Sequence, residues 1–252
     1  MCTVVCRWDP AAVYPVKMLA LRDELRSRAF DEPGTWWPDQ PGVIGGRDRT
    51  AGGSWCVSDV ASGVTSVVLN WPDQSVAQPG APSRGVLPLR GVRDGDGWAD
   101  GLELSGMAGF HLVLATAQAL TWWSFDGTEL IRHDLAPGTH MFTPRGEATS
   151  LDPRLTSDGG AGGTPLGEDD SALLDEAWTP WLAVIADSTP SLDAGSMLVR
   201  QPHPDPDVSD VFETVFGQFI AARPGRLRLD FVSYPLDSSD WTTQVIGAVG
   251  KA

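Results

Sequence analysis

The sequence is poor in cysteine and in long apolar runs. Its three cysteines, Cys2, Cys6 and Cys56, are too few and odd in number for a disulfide framework, which favours a reducing compartment, the cytoplasm. No run of about 18 apolar residues occurs, so no membrane span is predicted. The N-terminal residues lack a basic segment followed by a long apolar one, and no secretory signal is therefore expected.

Clusters of lysine and arginine are also missing. The chain has 18 basic against 33 acidic residues, and its net charge is -15 at pH 7. A nucleic-acid partner needs clustered positive charge to contact phosphates, so the composition predicts no such partner. The acidity is interpreted as a well-solvated surface. The histidines show no metal-ligand spacing, so neither a metal site nor a cofactor is expected at His111, His133, His140 and His203.

An apolar fraction of 42% over 252 residues predicts a globular protein, interpreted as one domain over residues 1–252. Residues 157–170, SDGGAGGTPLGEDD, are of low complexity and are expected to form a mobile connector. Helical spacing of apolar residues predicts an amphipathic helix around 174–185, with either a kink at Pro180 or a division into two short pieces. A second helix is predicted over 208–222.

Two hairpins are predicted in the first seventy residues. Residues 2–8 and 17–21 are β-rich and flank a turn centred near residue 12, so Cys2 is expected opposite Arg22, beside Asp23. In the second hairpin, 54–59 with 63–70, a centre near residue 62 places Ser54 opposite Asn70.

The remaining segments complete the α+β interpretation. Residues 71–109 are interpreted as an inserted loop, 110–133 as a meander of three strands, and 226–234 as a late strand. Two hairpin-rich sheets with a helical pair indicate a layered α+β protein.

Several motifs in order resemble the NRDE, or transport-and-Golgi-organisation, family. They are MCTVV at the start, LALRDELRSR at 19–28, GGRDRTAGGSWCVSD at 45–59, TSVVLNW at 65–71, Ser83-Arg84-Gly85 and GMAGFHLVLAT at 106–116. The namesake motif Asn-Arg-Asp-Glu appears here as Leu21-Arg22-Asp23-Glu24, so its first position departs, and His111 replaces an asparagine. The resemblance covers residues 1–116.

The family is similar to N-terminal-nucleophile (Ntn) hydrolases such as choloylglycine hydrolases. The resemblance implies a four-layer αββα sandwich of two mostly antiparallel sheets, and a chain that begins with Cys2 after Met1 is removed. Cys2 then matches the nucleophile, Arg22 and Asp23 the charged residues around it, and Asn70 the first oxyanion-hole position.

Two residues of those hydrolases have no counterpart here. The stretch 141–154, where a second oxyanion asparagine is expected, contains none, and Gly217-Gln218-Phe219 stands nearest to a late arginine. Losing an oxyanion donor and a guanidinium lowers the rate of such a reaction by orders of magnitude.

Two functions follow, each with a small molecule as the expected partner. One is a cysteine amidohydrolase acting on a small amide or acyl substrate, in which the α-amine of Cys2 is the base, Arg22 favours the thiolate and Asn70 donates to the oxyanion. The alternative is a non-catalytic handler of haem or acyl lipid, which the 11 tryptophans and the missing polar donors favour. A structural or interaction protein stays open, as do structural roles for Cys2, Arg22, Asp23 and Asn70.

Overall fold

The computed structural model describes residues 2–72, 78–156, 174–190, 197–202, 210–233 and 242–247. In chain order, the first elements are β1 (Cys2–Trp8), β2 (Val16–Leu25), β3 (Phe30–Gly34), β4 (Val43–Asp48), β5 (Cys56–Asp59), β6 (Thr65–Asn70), α1 (Val86–Asp94), a 3-10 turn (Gly95–Gly97), β7 (Phe110–Ala115), β8 (Leu120–Phe125) and β9 (Leu130–Leu135). They are followed by β10 (Gly138–Thr143), β11 (Gly146–Glu147), α2 (Pro153–Thr156), α3 (Leu174–Asp187), β12 (Arg200–Pro202), β13 (Val211–Arg223), β14 (Arg226–Ser233) and β15 (Thr242–Gly247).

The described strands form two antiparallel sheets. Sheet A has the order β11-β10-β1-β2-β13-β14-β15, with β12 paired to β13. Sheet B is a meander from β3 to β9, in which each strand pairs with the next one along the chain.

Side-chain alternation gives each sheet two apolar faces, and the layers follow from how these faces are covered. The inner faces share one core, in which Val4 and Ile220 of sheet A meet Val67 and Val113 of sheet B. The outer face of sheet A packs against α2 and α3, while α1 covers sheet B through Leu87. The layer order is helix, sheet, sheet, helix, which confirms the expected αββα sandwich.

The first hairpin has the register that the turn position predicts. Cys2 pairs with Arg22, and the pairing continues without a shift to Trp8 and Val16. Register here is strongly specified, because a slip by one residue would move the side chains that pack in the inner core to the opposite face of the sheet.

The second hairpin is displaced by one residue from its prediction. Cys56 pairs with Val67 and Ser58 with Thr65, and this register, extended to Ser54, falls one residue short of Asn70. The reason is the loop after Asp59, whose backbone amide donates to Val64 (2.9 Å), while Gly63 takes a positive φ of 70°. This loop centres the hairpin slightly earlier than the sequence spacing indicated.

The predicted second helix over 208–222 is wrong, because the described part of this segment is the strand β13. Phe216 and Ile220 face the inner core, whereas Phe219 and Ala221 face the helical layer. The sequence of a central strand that is buried on both faces is a nearly continuous apolar run. Hydrophobic periodicity alone cannot distinguish such a run from a buried helix.

Three other predictions concern helices and loops. The helix α3 is confirmed, and it runs through Pro180. The segment 71–109 is not simply a loop, since it contains α1. The predicted connector at 157–170 lies outside the described residues. Within the described chain no helix has both the length and the apolar character needed to cross a membrane.

Replacing one inner-core side chain tests the sandwich core. Ile220 is 1% exposed, so Ile220→Ala is expected to lower the free energy of unfolding by ~2–5 kcal/mol through lost burial and a cavity. The matched control Ile131→Ala removes the same side chain from β9, where it is 44% exposed, and should cost less than about 0.5 kcal/mol. Urea unfolding of both variants measures the difference; equal losses would contradict this assignment of the core.

Candidate active site

A cavity of about 400 Å³ opens at the end of the sandwich where β1 begins and where β2 and β6 end. It borders the four successive residues 22–25 and therefore wraps around the end of β2. Arg22, Asp23 and Asn70, which the sequence singled out, all line it. The backbone of Cys2 lies beside this cavity, because Cys2 pairs directly with Arg22.

Arg22 is buried between the two sheets and is 4% exposed. Its guanidinium carbon lies 4.3 Å from the ring centroid of Trp55, and Phe216 and Phe30 lie at 5.8 and 5.9 Å. Its Nη2 donates to Glu24 Oε2 at 3.5 Å. A desolvated guanidinium on an aromatic face gains about 2 kcal/mol, which offsets part of the cost of burying the charge.

Trp55 is the platform on which Arg22 rests, and it is itself held in place. Its indole Nε1 donates to Gln218 Oε1 at 3.2 Å, and its ring packs 4.9 Å from that of Phe216. Gln218 is fully buried on β13, within the stretch Gly217-Gln218-Phe219 that stands nearest to a late arginine. Gln218 therefore helps to hold in place the Trp55 ring on which Arg22 rests.

Asp23 is 3% exposed and accepts a hydrogen bond from the hydroxyl of Thr214 at 2.7 Å. Burial raises the pKa of Asp23 from 3.8 to about 7, against the opposing effects of the positive N-terminus, this hydrogen bond and Arg22. Such a carboxyl exchanges its proton near neutral pH.

Asn70 is the last residue of β6 and is half-buried at the wall of the cavity. Its backbone pairs with Phe110, whereas its side-chain amide makes no hydrogen bond among the described residues. The amide is thus available as a donor to a molecule in the cavity.

The loop corner beside Asn70 is formed by a close contact of two chain segments. The amide of Ser54 donates to the carbonyl of Gly85 at 2.8 Å, and a Cβ on Gly53 would lie 2.5 Å from Gly85. Arg84 fixes the same corner by donating to the Gly109 carbonyl at 2.9 Å. The glycine is required for this approach of backbone to backbone.

A charged network borders the cavity on its other side. Arg28 Nε donates to Asp48 Oδ2 at 2.8 Å and lies 3.7 Å from Glu24 Oε2. Because Glu24 also accepts from Arg22, these side chains alternate in sign from the buried guanidinium outward. Acidic and basic groups thus both line the cavity.

His111 has a structural role in the described fold. It is 1% exposed; its Nε2 lies 3.1 Å from the Pro144 carbonyl and its Nδ1 accepts from Trp122 at 3.1 Å. Burial lowers the pKa of His111 to about 4, so the ring is neutral near pH 7 and its Nε2 carries the proton that is donated to Pro144. The ring links β7 to the turn between β10 and β11.

A second buried arginine, Arg228, is not among the described residues that line the cavity. Arg228 is buried on β14, but its Nε donates to Asp230 at 2.8 Å, and Trp178 of α3 donates to the same carboxylate. This ion pair lies beneath α3, on the outer face of sheet A. No group of three or more His, Cys, Asp or Glu suited to a metal occurs among the described residues.

The two other cysteines lie in the core, as expected. Cys6 is fully buried and Cys56 is 1% exposed. Burial raises the pKa of the Cys6 thiol to about 12. A buried thiol of this kind is unreactive near neutral pH.

Comparison with known proteins found similarity to solved structures and to a protein family. A penicillin V acylase structure from Agrobacterium tumefaciens is similar over 97% of this chain and 84% of that chain, with 12% sequence identity and a TM-score of 0.48. Among curated proteins, the sequence has no significant match. The family model for Transport and Golgi organisation 2 matches residues 1–147, more than half of the chain. The chain therefore belongs to the Transport and Golgi organisation 2 family.

Proposed function

We propose that this protein is a cysteine amidohydrolase of the N-terminal-nucleophile type, acting on a small amide or acyl substrate, with Cys2 as its nucleophile. The observation that carries the proposal is the meeting of Arg22, Asp23 and Asn70 around one cavity of about 400 Å³, beside the backbone of Cys2. Arg22 and Asp23 lie on β2 and Asn70 ends β6, so residues far apart in the chain meet at a cavity that leaves space for a substrate.

Removal of Met1 is the first requirement, because it frees the α-amine of Cys2. This amine has a usual pKa of about 7.7–8, so a useful fraction is neutral and accepts the thiol proton. The thiolate attacks the acyl carbon, and a C–S bond forms. Collapse of the tetrahedral intermediate breaks the C–N bond, and the ammonium returns its proton to the leaving amine. Water then hydrolyses the thioester and releases the acid.

Each lining residue has a role in this sequence of steps. The buried charge of Arg22 favours the thiolate over the thiol and so lowers the thiol pKa. Asp23 holds the amine of Cys2 by a hydrogen bond. Asn70 donates its free amide to the oxyanion, a contact worth about 2.7–4 kcal/mol in other enzymes.

A non-catalytic handler of haem or acyl lipid is the alternative on the same fold. Positively and negatively charged side chains both line the cavity, namely those of Arg22, Asp23, Glu24, Arg28, Asp48 and Arg84. Most buried tryptophans, such as Trp98 and Trp178, pack into the helical layers. A charged lining favours a polar substrate over a largely apolar ligand.

Processing and thiol reactivity test the nucleophile. Intact-mass analysis is expected to show loss of Met1, and iodoacetamide at about pH 7 is expected to modify a single thiol, that of Cys2, because Cys6 and Cys56 are buried. Cys2→Ser should abolish this modification, and Cys56→Ser should leave it unchanged.

Turnover is tested with a panel of N-acyl p-nitroanilides with short polar acyl groups. Release of p-nitroaniline should be lost in Cys2→Ala. Retention of Met1 on the folded protein would refute the hydrolase, since the proposed base would remain in a peptide bond.

The effect of Arg22 on the thiol is tested by the pH dependence of alkylation. Arg22→Met keeps an unbranched side chain on Trp55 but removes the charge, and a rise of one unit in the thiol pKa slows alkylation of Cys2 at neutral pH about tenfold. Arg22→Lys should restore part of the rate. The control Arg132→Met, on exposed β9, should have no effect; a profile for Arg22→Met identical to that of the wild type would contradict the proposed role.

Asp23→Asn tests the perturbed carboxyl through stability. Since burial raises the pKa of Asp23 to about 7, the folded protein holds the proton more tightly than the unfolded chain. The stabilisation from the Asp23 carboxyl is therefore greatest below about pH 4, and it declines as the pH rises to about 7. The variant Asp23→Asn has no carboxyl to titrate and does not lose this stabilisation. Its free energy of unfolding, measured relative to that of the wild type, should therefore rise between about pH 4 and pH 7.

Urea unfolding at several pH values measures this difference. The control Asp126→Asn alters an exposed turn carboxyl whose pKa is lowered by hydrogen bonds from backbone amides, so its dependence on pH should have the opposite sign. A difference between wild type and Asp23→Asn that is flat with pH would show that Asp23 titrates normally.

A further inference from the structure

Thr214 lies directly beside Asp23, and a β-bulge accounts for its orientation. In the pairing of β13 with β2, Thr214 faces Asp23 and Phe216 faces Arg22, with the register shift between Thr214 and Phe216. Val215 is the extra residue of the bulge. In a regular strand, Thr214 and Phe216 would be two positions apart and would both face the inner core. The bulge brings Thr214 to the face of Asp23 instead, where it is fully buried.

The hydroxyl of Thr214 has a defined direction of hydrogen bonding. The backbone amide of Val199 donates to Thr214 Oγ1 at 2.9 Å, and the amide of Thr214 donates to the Val199 carbonyl at 2.9 Å. A hydroxyl has one proton, and that of Thr214 is donated to Asp23 Oδ1 at 2.7 Å. Oδ1 of Asp23 is therefore an acceptor in the described arrangement.

We propose that Thr214 is a positioning residue of this site, whose hydroxyl holds Asp23 Oδ1 as an acceptor and so stabilises the ionised form of this carboxyl group. A carboxyl group carries its proton on one oxygen, and a donor already bound to Oδ1 disfavours protonation there. The role of Thr214 in the reaction rests on the proposed function, whereas its effect on Asp23 does not.

The charged groups around Asp23 are Arg22 and Glu24 on β2, Glu213 on β13, and the positive N-terminus. Glu24 is engaged by Arg22 and Arg28, and Glu213 forms ion pairs with Arg26 and Arg200. The short hydrogen bond from Thr214 acts on Oδ1 alone and stabilises the ionised form.

The test follows the Asp23 carboxyl by NMR titration of its side-chain carbon in the full chain. Thr214→Val keeps the shape of the side chain but removes the donor, and loss of a hydrogen bond to a charged group is expected to raise the pKa of Asp23 by about one unit. Thr214→Ser should restore the wild-type titration. Thr214→Ala provides the same readout if the valine variant does not fold.

Thr65→Val is the matched control. Thr65 is also a fully buried strand threonine, and its hydroxyl lies 2.8 Å from that of Ser58 on sheet B. This variant loses a hydrogen bond without contact to Asp23, so its Asp23 titration should equal that of the wild type. A wild-type titration in Thr214→Val or Thr214→Ala would overturn the proposal, as would a shift of equal size in Thr65→Val.

This outcome is independent of the hydrolase. A shift in Thr214→Val on a chain that retains Met1 supports the positioning of Asp23 while refuting the nucleophile. A chain that has lost Met1 and turns substrate over, but whose Asp23 titration is unchanged in Thr214→Val, overturns the role of Thr214 alone.

Discussion

The pairing of β1 with β2 and of β2 with β13 sets the geometry on which the whole site depends. It places Cys2, Arg22 and Phe216 in one row across three neighbouring strands of sheet A. Each strand buries apolar side chains on both faces, so a slip of one residue would move that apolar set to the opposite face of the sheet. The forces that hold the sandwich together therefore also determine which residue lies beside the N-terminus.

Burying charge next to this row costs free energy, and the chain offsets the cost with specific partners. Arg22 rests on Trp55, which Gln218 orients, and it also reaches Glu24. The ion pair of Arg228 with Asp230 is compensated differently, because both partners lie under α3 and Trp178 donates to the carboxylate. One buried arginine faces a cavity and the other is enclosed, and this difference separates a candidate site from a structural contact.

The sequence was sufficient where local geometry decides the outcome. The turn near residue 12 determined that Cys2 pairs with Arg22, and family motifs pointed to Asn70. The predicted register of the second hairpin is wrong by one residue, because the positive φ of Gly63 in its loop cannot be derived from residue spacing. Trp55 was missed as the support of Arg22, because a contact between the two sheets leaves no trace in local periodicity.

The more consequential wrong prediction is the helix over 208–222, where the structure has β13. Apolar residues on both faces of this strand give a pattern that resembles that of a buried helix. Once 208–222 is interpreted as a helix, neither the bulge at Thr214 nor the position of Gln218 is predictable, since both depend on pairing with β2. Long-range pairing sets the environment of these two residues. Propensity and periodicity describe only the segment itself.

The proposed chemistry also depends on the protonation states of the ionisable groups around Cys2. A thiolate next to an ionised Asp23 would be destabilised by the like charge, whereas Arg22 stabilises it. Because burial raises the pKa of Asp23 to about 7, the carboxyl is partly protonated in the range where the α-amine begins to lose its proton. In the proposed mechanism the thiol, the amine and Asp23 would titrate as one coupled set, so that no single pKa in a rate profile would belong to one residue. In the proposed mechanism Asn70 is the side-chain donor to the oxyanion, so the reaction would rely on this proton balance more than one with two such donors.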